Sequence, residues 1–432
     1  MKALLFIAAA LAASPAAAQS VAITNARVVI GDGSAPIEGG TVVVRNGRVV
    51  AAGRGVAVPA GVPTVDAGGR YVTPGIVAGF TRLGLVEVDG VDEANDEAAG
   101  NSPFHAAIDI ALAINPATSA IRLNRAEGIT RAIVAPGTRG SIFAGQGAVI
   151  DLGADSDTVT VPRAFQFMEW GESGARAAGG SRPAAITAFR DALKAAQAYA
   201  RAPGAYLDQG RDVLVNRADA AALGAVVSGK VPLLVHVERA SDMRALIALR
   251  GEFPALRLVF VGASEGWLVA SELAAAKVPV IASALNDLPE AFESIAATQS
   301  NIGRMRAAGV SVAIGMIGDN DARQARLEKQ YAGNLVALHH VPGASGLSWD
   351  QAFAAITGTP AEAIGMGGEI GTLKPGRRGD VVIWDGDPLE LSSAAASVYV
   401  DGVAQPLATR QSQLLKRYRQ PQEGVLPKAY ER

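Results

Sequence analysis

Short runs of Val, Ile and Leu recur along the chain, and the segments between them change character twice. Near the start, residues 21–30 and 41–50 are β-like. Asn46-Gly47, set between Val42-Val43-Val44-Arg45 and Arg48-Val49-Val50, is the dipeptide of a two-residue hairpin turn. At the far end Asp380-Val381-Val382-Ile383-Trp384 and Ala396-Ser397-Val398-Tyr399-Val400 flank the turn residues Asp385-Gly386-Asp387-Pro388. Isolated hairpins are marginal, so strand-rich ends around a different middle predict one small β-sandwich-like domain assembled from both chain ends.

Residues 71–367 alternate apolar runs with Ala-rich stretches of helical period. Strands are expected at 231–237, 256–261, 277–283 and 310–315, with helices at 242–251, 265–275 and around 290–308. Uninterrupted apolar strands alternating with helices imply parallel βα units buried on both faces. About 300 residues of this pattern suit a (β/α)8 TIM-like barrel better than an open sheet. The expected division is 1–18 as a signal peptide, 19–72 with 368–410 as the composite β-sandwich domain, 73–367 as the barrel, and 411–432 as a polar tail.

Composition narrows the function more than the fold. The 432 residues are 49% hydrophobic and 19% charged, with no Cys and four His, which excludes a disordered chain, a disulfide scaffold, a Cys-ligated zinc module and a coiled coil. A formal net charge of −2 argues against a nucleic-acid partner, which demands a basic surplus. Met1-Lys2, an apolar run from Ala3, and Ala16-Ala17-Ala18 before Gln19 read as a secretory signal peptide, so the mature chain is expected to be periplasmic or extracellular. No later stretch approaches the ~18 continuous apolar residues of a transmembrane helix.

Asp66-Ala67-Gly68-Gly69-Arg70-Tyr71-Val72-Thr73-Pro74-Gly75 resembles the entry into the barrel of the metal-dependent amidohydrolase superfamily. Gly371-Thr372-Leu373-Lys374-Pro375-Gly376, with 380–384 and Asp387-Pro388 behind it, resembles the exit. Gly128-Ile129-Thr130, Pro136-Gly137 and Gly145-Gln146-Gly147-Ala148-Val149 are similar to a secreted, imidazolonepropionase-like branch. The resemblance covers nearly the whole mature chain. It implies strand ends that hold one or two divalent metals, usually zinc, which activate water for attack on amide or cyclic C–N bonds.

Such a centre needs about three protein ligands and an open position. After its first barrel strand the family carries Asp-x-His-x-His, and here Ala78, Phe80 and Arg82 stand at those places. Ala and Phe cannot ligate, and a guanidinium repels a cation. Gly262 stands where the sixth strand should present a His. His236 matches the histidine of the fifth strand and is otherwise a core or surface histidine. Glu172 matches an acid of active relatives and is otherwise a solvated loop acid. Asp319 or Asp321 is the nearest match to the family's strand-eight acid, against a turn or helix-cap role. His339 and His340 are adjacent on a helix, pointing about 100° apart, and His105 lies in a loop.

A zinc site of ordinary affinity is therefore not expected, and any divalent site would be weak and carboxylate-rich. Buried carboxylates need a cation, so Arg82 is expected to pair with Glu172 or Asp319 where the metal would sit. A Cys nucleophile and a phosphate loop ending in Lys-Ser/Thr are both absent. The resemblance thus implies a hydrolase of small amide-type molecules with its activity weakened or lost. The alternative is a non-catalytic binding or scaffold protein, in a homo-oligomer or as the partner of an active paralogue.

Overall fold

The computed structural model describes residues 20–88, 90–208, 214–284, 286–318 and 323–419. The expected signal peptide, Asp319, Asp321 and the end of the polar tail lie outside the described residues.

The chain opens with β1 (Val21–Val28), β2 (Ile37–Arg45), β3 (Arg48–Gly53), β4 (Thr64–Asp66) and β5 (Tyr71–Pro74). The barrel strands follow: β6 (Ile76–Thr81), β7 (Ile129–Val134), β8 (Phe143–Asp151), β9 (Val159–Glu169), β10 (Leu233–Val237), β11 (Leu258–Gly262), β12 (Val280–Ala282) and β13 (Val312–Ile314). β14 (Val381–Trp384), β15 (Ala395–Val400) and β16 (Val403–Ala404) close the sequence. Both chain ends join one mixed sheet in the order β16-β15-β14-β5-β1-β2-β3, with β4 on β1. Its expected hairpin turn forms with Asn46 and Gly47 at φ 51° and 75°, the double positive φ that Asn-Gly tolerates.

The second sheet runs β13 to β6 in sequence order and nearly closes as an eight-stranded, TIM-like barrel with helices around it. One strand departs from the expected parallel array, because β8 is antiparallel to both β7 and β9. The connections either side of β8 fall short of the dozen or so residues a parallel crossover requires, so the chain turns straight back. At the seam between β6 and β13 the Val77 and Ile314 N–H groups donate to Ile356 and Ala355 carbonyls. The Gly79 N–H donates to the Glu328 carboxyl at 3.2 Å.

The barrel lumen is a packed core. Phe80, Phe165, Phe167, Val261 and Ile281 fill it, with Ala361, Ile364 and Ile370 beneath. Each buried ring contributes about 1.5–3 kcal/mol. A larger cluster lies between strands and helices, and a third fills the terminal sheet domain. Arg131 of β7 joins the two domains: it is fully buried and lies 2.7 Å from Asp380, 2.9 Å from Asp401 and 3.5 Å from Asp151. The single helix expected around 290–308 is instead a loop carrying one 3-10 turn at Phe292–Ser294, followed by a short helix at Asn301–Ala307. The reason is tertiary, since Glu293 in that loop is drawn into the site described next.

Candidate functional site

The carboxyl ends of the barrel strands gather charge over an aromatic floor. Phe80 at the end of β6 is 1% exposed and packs on Phe167 of β9 with ring centres 5.2 Å apart. Two residues on, the Arg82 guanidinium lies across both rings, 4.9 Å from the centre of Phe80 and 5.6 Å from that of Phe167. Nη1 donates to the Ala135 carbonyl at 2.8 Å, and Nε lies 3.4 Å from a Glu97 carboxylate oxygen. The cation is thus held by ring faces, a carbonyl and an acid from the loop after β6. Ala78 belongs to the cluster outside the strands.

His236 is the centre of the site. Parallel pairing of β10 with β9 sets His236 beside Glu169, and strand alternation puts Glu238 on the same side as His236. Nδ1 is 2.7 Å from Glu169 Oε2 and Nε2 is 2.9 Å from Glu238 Oε1. Burial works against the charged ring, but the two carboxylates outweigh it and hold the His236 pKa well above its ordinary value. Burial opposes the charge of Glu238 too, yet bonds from His236 and from the Ser264 N–H at 2.7 Å leave its carboxyl below the usual range. The two carboxylates thus favour the protonated ring, the form in which both N–H groups donate to acids.

Gly262 ends β11 at φ +88°, a left-handed conformation that favours glycine. A Cβ there would collide with the Glu238 carboxylate. A second ring of charge lies alongside. Glu293 Oε2 accepts from the Glu172 N–H at 2.6 Å and from Arg182 Nη2 at 3.0 Å, and Asp242 bridges Arg182 and Arg239 at 2.9 and 2.7 Å. Burial, with the nearby Glu172 charge adding to it, pushes the Glu293 carboxyl up against the hydrogen bond it accepts. Gly171 at φ +60° is restricted in the same way, because a Cβ would meet Glu293.

These residues do not fit a zinc centre. A ligating imidazole needs a bare ring nitrogen, and both nitrogens of His236 face carboxylates. Among the described residues, no group of three or more His, Asp or Glu side chains is disposed to hold a metal ion. Phe80 and Arg82 supply no donor, and the space beside Gly262 is taken by Glu238.

The structure brings Phe80 and Arg82 together at the floor and His236 and Gly262 together around Glu238. Glu172 lies in the neighbouring ring with Glu293; among the described residues the acid beside Arg82 is Glu97, and the other expected partner, Asp319, lies outside them. His339 and His340 are exposed at the end of the helix Glu328–Leu338, and the His105 N–H donates to Asp219. Glu169, Glu238, Glu293 and Arg182 were not singled out from the sequence. For Glu238 a signal existed in its spacing of two from His236; for the others the partner lies on a different element.

A profile of the amidohydrolase family matches residues 172–404, more than half of the chain. The chain is 27% identical over 413 residues to an imidazolonepropionase of Rhizorhabdus wittichii, covering 88% of this chain and 95% of that protein. It is 26% identical over 382 residues to the amidohydrolase tasK of Hapsidospora irregularis, covering 81% of this chain but only 38% of that longer protein. Among solved structures, an amidohydrolase from Thermotoga maritima superposes with a TM-score of 0.77 at 24% identity, over 89% of this chain and 99% of that one. Molinate hydrolase superposes with a TM-score of 0.56 at 18% identity, over 95% of this chain and 99% of that one.

Proposed function

This chain belongs to the amidohydrolase family, and we propose that it is a member in which metal-dependent hydrolysis of amide or cyclic-amide C–N bonds is weakened or lost. The observation that carries this reading is the pair of contacts made by His236, whose two ring nitrogens are both engaged by carboxylates at 2.7 and 2.9 Å. Metal catalysis in such a barrel begins with a cation that lowers the pKa of a bound water. Here a positive imidazolium lies between Glu169 and Glu238 and supplies the counter-charge those acids need. Phe80, Arg82 and Gly262 fit the same reading, and we assign the chain to an exported branch on its N-terminal sequence.

Elemental analysis of the purified full chain, with turnover assays on acyl dipeptides and lactams in added zinc, tests this. Substoichiometric metal with no turnover supports it; stoichiometric metal with zinc-dependent turnover overturns it.

A second reading, a binding or scaffold partner of an active paralogue, is favoured by one feature. The loop after β12 exposes Leu288, Phe292 and Ile295 at 76%, 86% and 63% beside Glu293, an apolar patch of the kind that marks contact surfaces. Co-purification with an active paralogue, lost on Phe292→Ser, would support that reading.

A further inference from the structure

None of the residues of the helix Arg410–Arg419 is buried. Its start is set locally, by Thr409 and Ser412: the Ser412 N–H donates to Thr409 Oγ1 at 3.1 Å and the Thr409 N–H to Ser412 Oγ at 3.0 Å. Helices of this length are marginal in water without a surface to lie on. By contrast, the helix Arg182–Arg201 buries Phe189, Leu193 and three alanines against the barrel.

At about 100° per residue, Leu414, Leu415 and Tyr418 share one face, and they are 38%, 63% and 51% exposed. Arg410 and Arg417 border that face on one side and Arg419 on the other, with Lys416 opposite; residues 410–419 contain no acid. In a chain of net charge −2 this is a local reversal of sign. Apolar side chains flanked by long cationic ones suit a boundary between hydrocarbon and anionic headgroups, where Lys and Arg stems lie along the apolar layer while their charges stay in water. A polyanion such as nucleic acid would use the charge and leave Leu414 and Leu415 in water.

We propose that this helix lies on an anionic lipid surface, its Leu414, Leu415 and Tyr418 face in the headgroup region and the arginines that border this face against the lipid phosphates. An amphipathic helix of this kind attaches peripherally and reversibly.

The test uses the full chain in co-sedimentation with phosphatidylcholine vesicles, with and without phosphatidylglycerol. Binding should require phosphatidylglycerol and weaken with salt. Each basic residue near such a surface is worth roughly fivefold, so Arg410→Gln with Arg419→Gln should lower the partition coefficient about 30-fold. Leu415→Asp should abolish binding, with an unchanged circular dichroism melt because the side chain supports no core. Equal binding with and without phosphatidylglycerol, no binding, or binding indifferent to these variants overturns the proposal. So does a wild-type dimer dispersed by Leu415→Asp without vesicle binding, which would make a second copy of the chain the occupant.

Discussion

Glu238 occupies the space that any side chain at residue 262 would need: a Cβ built on Gly262 runs into its carboxylate. The same carboxylate receives His236 Nε2 at 2.9 Å. Gly262, Glu238 and His236 are therefore one packing unit, and a change at one is felt at the others.

Gly262→His alone should not create a metal ligand. It combines a left-handed backbone, φ +88°, with a steric overlap, and the expected loss of stability is about 2–4 kcal/mol. Adding Glu238→Ala should recover part of it, giving a non-additive double-mutant cycle in urea denaturation. Simple additivity would separate the two residues.

Stability should fall as pH is raised from neutral. The folded pKa of His236 lies well above the unfolded value near 6.5, so its contribution is complete below that value and is lost as pH rises through the folded pKa. Glu238 acts oppositely: its folded pKa is lowered, so its contribution is lost as pH falls through that depressed value. His236→Gln should remove the alkaline slope. Imidazole nitrogen shifts typical of an imidazolium at neutral pH give a direct check, and those of a neutral ring would contradict the clamp.

Glu328 should behave as a neutral acid. It is fully buried at the barrel seam and burial drives its pKa well above the usual range, although the Gly79 N–H partly offsets this. The folded state then binds the proton more tightly than the unfolded state, so stability falls as pH rises above about 4.5. Glu328→Gln keeps the acceptor for Gly79 and should be equal or more stable at neutral pH, with a flatter profile. Loss of several kcal/mol would show that the charge is needed.

Arg131→Met should cost about 3–5 kcal/mol, because it strands Asp380 and Asp401 without their cation. Burial already lifts Asp151 to about 6 in spite of Arg131. Urea unfolding of the variant should show the terminal sheet domain separating from the barrel, since these contacts join β7 to the C-terminal strands of that domain.

The amino-acid pattern determined the elements whose signals are local. Asn46-Gly47 specified its turn, the apolar runs at 231–237 and 256–261 specified buried strands, and that Phe80, Arg82 and Gly262 carry no metal-ligating side chain was legible from residue type alone. What residue type could not supply was adjacency. Short connections reversed β8, a tertiary demand on Glu293 broke the helix expected around 290–308, and strand register set Glu169 against His236. Charge state follows from that adjacency: an isolated histidine has its ordinary pKa, and only folding, by placing two carboxylates within 3 Å of its nitrogens, raises that of His236.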